Sequence, residues 1–197
     1  MNKNSMLSMV CSLGIITVLT GLILGVVNYY TKDAIADAAL QTKIDALADI
    51  LPEFDNNPLE QRNFAVVNGD TLIVYAATKE GEPVGVAVES PAHDGFSGDI
   101  SLMFGFNAEG AVSGFKVLAH SETPGLGAKM EDWFRDSVAS RSVIGRNIGA
   151  ADFSVTKDGG EIDGITAATI TSRAFLGALR RAAEAYRKYV SETKESK

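Results

Sequence analysis

Cysteine is nearly absent from this sequence: Cys11 is the only one in 197 residues. An internal disulfide is therefore excluded, and no cysteine cluster exists for zinc or an iron–sulfur centre. Histidine is almost as scarce, and His93 and His120 alone cannot build a histidine-rich metal site. Positive charge is in deficit as well. Eighteen Lys and Arg face 25 Asp and Glu, a net charge of −7, so the electrostatic footprint of a nucleic-acid binder is missing. With 22% charged and 46% hydrophobic residues, the composition fits neither wholesale disorder nor a polytopic membrane protein.

What charge there is avoids one region entirely. From Asn4 to Thr31 no Asp, Glu, Lys or Arg occurs, and the apolar stretch Leu7 to Val27 lies inside it. About 20 apolar residues suffice to cross a bilayer as a helix, and Tyr29 and Tyr30 fall where an interfacial aromatic belt belongs. A secretory signal would have a shorter apolar core, roughly 7–15 residues, and a nearby small-x-small cleavage site. Ala36-Asp37-Ala38 is a weak match that lies too far on, and Val10 before Cys11 does not suit a lipoprotein signal. The expectation is a retained single-span anchor over residues 1–31 with a short cytoplasmic N-terminus. Positive-inside logic then places the main domain on the extracytoplasmic, periplasmic side of the cell inner membrane. Thr17, Gly21 and Gly25 recur every four residues, a spacing that allows close packing against other spans.

Past the span, Leu40, Ile44, Leu47 and Leu51 fall on one face of an expected amphipathic helix, which Pro52 stops. The helix and a connector with Asn56, Asn57 and Pro58 make up residues 32–63. Five apolar runs with strand character follow: Phe64 to Val67, Thr71 to Ala76, Val84 to Val88, Ile100 to Phe106 and Ala111 to Leu118. Turn residues separate them, which predicts an antiparallel meander. A Pro/Gly loop from His120 to Lys129 leads to a short helix, Met130 to Ala139, and Phe153 to Thr156 is expected as a further strand. Phe175, Leu179, Ala182, Tyr186 and Tyr189 mark a long terminal helix with its cations toward the C-terminal end. The fold class is α+β, with a domain over 64–190 and a charged tail over 191–197.

Two segments could carry chemistry. Thr166, Thr169, Thr171 and Ser172 crowd the entrance to the last helix. Hydroxyls there cap orphan N–H groups, and the same place suits a phosphate; by residue type alone an ordinary cap, Thr171 or Ser172, is favoured. The loop Glu122 to Lys129 combines stiff Pro124 with permissive Gly125 and Gly127, which fits a turn or a flat ligand. His120 beside Glu122 lacks a nucleophile, so a hydrolase is not indicated. His93 is expected on a surface turn, and Trp133 and Phe134 in the core.

Asp163-Gly164-x-Thr166-x-Ala168-Thr169 resembles the recognition motif of proteins that carry FMN covalently on a threonine, attached by flavin transferases with FAD as donor. His120-Ser121-Glu122-Thr123-Pro124-Gly125-Leu126-Gly127 resembles a loop shared by the G subunit of Rnf-type electron transport complexes and the C subunit of sodium-translocating NADH:quinone reductases. Asp94 to Ile100 resembles the Gly-aromatic-x-Gly turn before it in the same families. The likeness spans nearly the whole chain, and its length favours the G subunit. It implies FMN on Thr169, with Thr166, Ala168 and Thr171 beside it and Glu122, Thr123, Gly125 and Leu126 near the ring. Lys129 is expected in solvent, with the phosphate or the ring as its alternatives. The family usually has Gly where this chain has Ala167; a positive φ there would strain alanine. The implied function is electron transfer within an ion-translocating complex, with no standalone turnover. Its partners would be the other membrane and redox subunits and a flavin transferase. The alternatives are the quinone reductase C subunit and a cofactor-free extracytoplasmic binding module.

Overall fold

The computed structural model describes residues 3–138 and 140–195. The chain falls into two compact units, one up to Gln41 and one from Thr42 onward. Helix α1 (Lys3–Ile50) runs through the first and into the second. No break at Lys32 separates an anchor from an amphipathic helix, because no Pro, Gly or turn residue interrupts the pattern there. From Met6 to Tyr30 every large apolar side chain of α1 is more than half exposed. Among the described residues this is the one helix long and apolar enough to cross a membrane. Thr17 and Thr20 donate their hydroxyls to the carbonyls of Leu13 and Ile16, at 2.8 and 2.7 Å, so both donors are satisfied within the helix.

The second unit is built on an antiparallel sheet of five strands in sequential order. They are β1 (Arg62–Val67), β2 (Asp70–Lys79), β3 (Glu82–Glu89), β4 (Ser101–Asn107) and β5 (Val112–Ala119). Period-2 alternation gives the sheet two apolar faces. Leu72, Val74, Val88, Leu102, Phe104 and Phe106 belong to the main core, packed against helix α3 (Thr169–Glu195). Phe175 of α3 anchors that core: its ring meets Phe104 and Phe115 edge-on at 5.4 and 4.9 Å and stacks on Phe134 at 4.4 Å.

Tyr75, Ala77, Ala87 and Met103 point to the other face, where Ala46, Leu47, Ile50 and Leu51 cover them. The expected apolar face of this helix segment is therefore corrected: Leu40 and Ile44 stay 50% and 42% exposed. The last turns of α1 cover this face of the sheet, and they do so over small residues. Ala87 pairs with Gly105, and Gly105 pairs with Gly114. A Cβ at Gly105 would lie 2.4 Å from the Ile50 carbonyl oxygen, and one at Gly114 would lie 2.9 Å from the Ile50 Cα. The Ser113 hydroxyl donates to that same carbonyl, which satisfies a helix-end acceptor. Gly114→Val is expected to destabilise the domain by about 1–3 kcal/mol through this overlap, read as a lower denaturant midpoint.

Two further expectations are corrected. Helix α2 (Met130–Arg135) ends before Ala139, which lies outside the described residues. Asp136 turns the chain with an extended ψ of 145°, and its carboxylate accepts from the Val138 N–H and from Arg141. Phe153 to Thr156 forms no strand. A single bridge joins Val155 to Ile162, and a 3-10 turn over Thr156–Asp158 follows, ended by Gly159 at φ 87°. The expected tail is helical as far as Glu195, and residues 196 and 197 lie outside the described residues.

Candidate functional site

The lead-in to α3 is shaped by one alanine and one serine. Ala167 sits at φ 61°, the left-handed region, so the expected strain is present. Ala167→Gly is expected to raise stability by roughly 0.5–1 kcal/mol, measured by thermal unfolding. Fully buried Ser172 donates its hydroxyl to the Ala168 carbonyl at 2.9 Å and accepts the Ile165 N–H at 2.9 Å. This ties the lead-in to the first turn of the helix. Neither Thr171 nor Ser172 is the N-cap, because α3 already begins at Thr169 and both lie inside it.

The Thr171 hydroxyl instead donates to Glu122 Oε2 at 2.7 Å, and Glu122 Oε1 accepts the Ser97 N–H at 3.0 Å. Thr171 and Glu122 are only 1% and 5% exposed, so this carboxylate is a buried node with both oxygens engaged. Close packing seals it. A Cβ at Gly127 would lie 2.6 Å from both Glu122 Oε2 and Thr171 Oγ1, and one at Gly95 would lie 2.9 Å from Glu122 Oε1. The three motif segments singled out in the sequence thus meet at one side chain. Beside each contact residue stands an exposed apolar one: Phe96 by Ser97, Leu126 by Gly127 and Ile170 by Thr171.

The loop after Glu122 is a tight turn in which the Leu126 N–H donates to the Thr123 carbonyl at 3.1 Å. Pro124 and positive-φ Gly125, at 79°, occupy its central positions, the type II combination. Thr123, Gly125 and Leu126 are exposed, as are Thr166 and Lys129, whereas Ala168 is buried. His120 Nδ1 accepts the Glu122 N–H at 3.1 Å, a structural role. Phe134 is core, as expected. Trp133 does more than pack: its indole N–H donates to the Asp163 carbonyl at 2.8 Å, at the start of the threonine-rich motif.

Thr169 is half-buried, and its Oγ1 accepts a hydrogen bond from Lys157 Nζ at 3.1 Å. Sequence reasoning missed Lys157 because the segment was expected to be a strand end. The 3-10 turn that carries it is fastened by Asp158, whose two oxygens take Arg173 Nε and Nη2 at 2.8 and 2.7 Å. The Arg173 hydrogen bond holds the Asp158 carboxyl below the usual carboxylate range. A ligand with one anionic end and one flat apolar body suits this donor set: an ammonium and the positive end of a long helix on one side, exposed apolar side chains on the other.

Residues 95–184 match the FMN-binding domain model. The chain is 39% identical over 173 residues to the G subunit of the ion-translocating oxidoreductase complex of Shewanella oneidensis, covering 83% of this chain and 80% of that one. The protein of the same name from Photorhabdus laumondii is 40% identical over 185 residues, 87% and 86% of the two chains. The one from Erwinia tasmaniensis is 37% identical over 180 residues, 86% and 84%.

Proposed function

The chain belongs to the family of ion-translocating oxidoreductase complex G subunits, and from that premise we propose that it is a membrane-anchored electron-carrying subunit with FMN joined to Thr169. The observation that supports this most is the contrast between the two rival hydroxyls. Thr169 is half-exposed at the first position of α3, while Thr171 is buried with its hydroxyl committed to Glu122. A modifying enzyme can reach only the former.

The flavin supplies reversible electron transfer when bound. This chain's residues hold and orient it. The first-turn N–H groups of α3 favour the single negative charge of a phosphodiester by about 0.3–2 kcal/mol. Thr123, Gly125 and Leu126 line the ring from the turn, with Glu122 behind them bracing that turn to α3. Thr166 and Ala168 shape the approach to Thr169, and Phe96 and Ile170 add apolar surface. A flavin transferase using FAD matures the protein, and other membrane and redox subunits exchange electrons with it. The span up to Thr31 anchors the chain in the inner membrane with the domain on the periplasmic side.

Co-expression with a flavin transferase is expected to give a band that fluoresces after denaturation and carries the mass of one esterified FMN. A colourless band of unmodified mass overturns the proposal and leaves a binding module without cofactor. For topology, protease added to intact spheroplasts is expected to digest the domain; protection reverses the orientation.

A further inference from the structure

Lys157 lies outside all three motifs, on a turn with no other evident task. We propose that it is the cationic partner of the phosphate joined to Thr169 and that it positions the Thr169 hydroxyl for attachment; this rests on the Thr169 assignment above. An ammonium has donors only, so in the 3.1 Å contact the hydroxyl oxygen is the acceptor and its own proton is free to leave. In attachment, Thr169 Oγ1 bonds to the flavin-side phosphorus of FAD. The pyrophosphate P–O bond breaks, AMP departs, and the hydroxyl proton passes to a base of the transferase or to water. No oxidant or reductant is needed. The product bears one negative charge on oxygens bonded to the phosphorus that Oγ1 now holds, so the ammonium that touched the hydroxyl stays within ion-pairing reach.

The position of Lys157 is built. Its turn is held at one end by the Thr156 N–H to Ile162 carbonyl bond at 2.8 Å and at the other by the Gly160 N–H to Val155 carbonyl bond at 3.1 Å. The neighbouring carboxylate, Asp158, does not compete for the ammonium, because Arg173 occupies both of its oxygens. Lys129, expected in solvent with the phosphate only as an alternative, is exposed on the 3-10 turn before α2.

The test uses the full chain in detergent with transferase and FAD, comparing wild type, Lys157→Met, Lys157→Arg and a Lys129→Met control. Attachment followed by in-gel fluorescence is expected to slow about tenfold or more in Lys157→Met. It is expected to recover largely in Lys157→Arg and to stay at the wild-type rate in Lys129→Met. In fully loaded protein, the phosphorus-31 resonance is expected to move in Lys157→Met and not in Lys129→Met. Should Lys157→Met fail to fold, judged by its melting before attachment, Lys157→Gln takes its place. A wild-type rate, or an unmoved resonance, overturns the role of Lys157 while leaving Thr169 standing. Wild-type protein that takes up no flavin overturns both.

Discussion

Thr169→Ala, matured beside a flavin transferase, is expected to give a dark band and an unmodified mass, while Thr171→Val still gains a full FMN. The loss is complete because the attacking oxygen is gone and no neighbour replaces it. Ser172 is fully buried and bonded to Ala168 and Ile165, and Thr171 is 1% exposed and bonded to Glu122. Thr166 is exposed but precedes the left-handed turn at Ala167 and lies outside α3. Thr171→Val should instead show itself in folding, because it removes a donor from a buried carboxylate at a cost of about 1–3 kcal/mol. Intact-mass measurement of the two variants decides the matter. A loaded Thr169→Ala chain beside an unloaded Thr171→Val chain moves the bond two residues along.

The second large effect is expected from Glu122→Ala. The substitution removes the acceptor of the part-buried Ser97 N–H bond and of the buried Thr171 hydroxyl at once. The buried Thr171 hydroxyl left unpaired costs about 1–3 kcal/mol and the lost Ser97 hydrogen bond about 1 kcal/mol more, a large share of a typical domain stability of roughly 5–15 kcal/mol. The thermal midpoint of the unflavinylated protein should fall by roughly 5–20 °C. Flavin attachment should fall with it, since the turn at Thr123 to Leu126 loses its brace to α3. Glu122→Gln keeps an acceptor for one of the two donors and should lie between. A midpoint unchanged by Glu122→Ala means that the three segments are held together elsewhere.

The sheet and its long covering helix were legible in the sequence because their signals are local. The short apolar runs of β2 to β4 between turn residues and the recurrence of Phe175, Leu179, Ala182 and Tyr186 are each read within one element. The resting place of α1 was not. Gly105 and Gly114 have meaning only once β4 and β5 are paired and Ile50 lies across them. The threonine motif was visible through resemblance, and its neighbourhood was not. Glu122 meets Thr171 across 49 positions, and Lys157 reaches Thr169 only because Asp158 and Arg173 fold its turn against α3. Periodicity carries no information about such contacts, which depend on where loops land after the core has formed.

The indole bond from Trp133 to the Asp163 carbonyl has a practical corollary. As the sole tryptophan in the chain, that ring supplies an unambiguous intrinsic optical signal from the threonine-rich segment that leads into α3. Loosening of that segment therefore registers as a change in ultraviolet emission, in the unaltered polypeptide and without any attached dye.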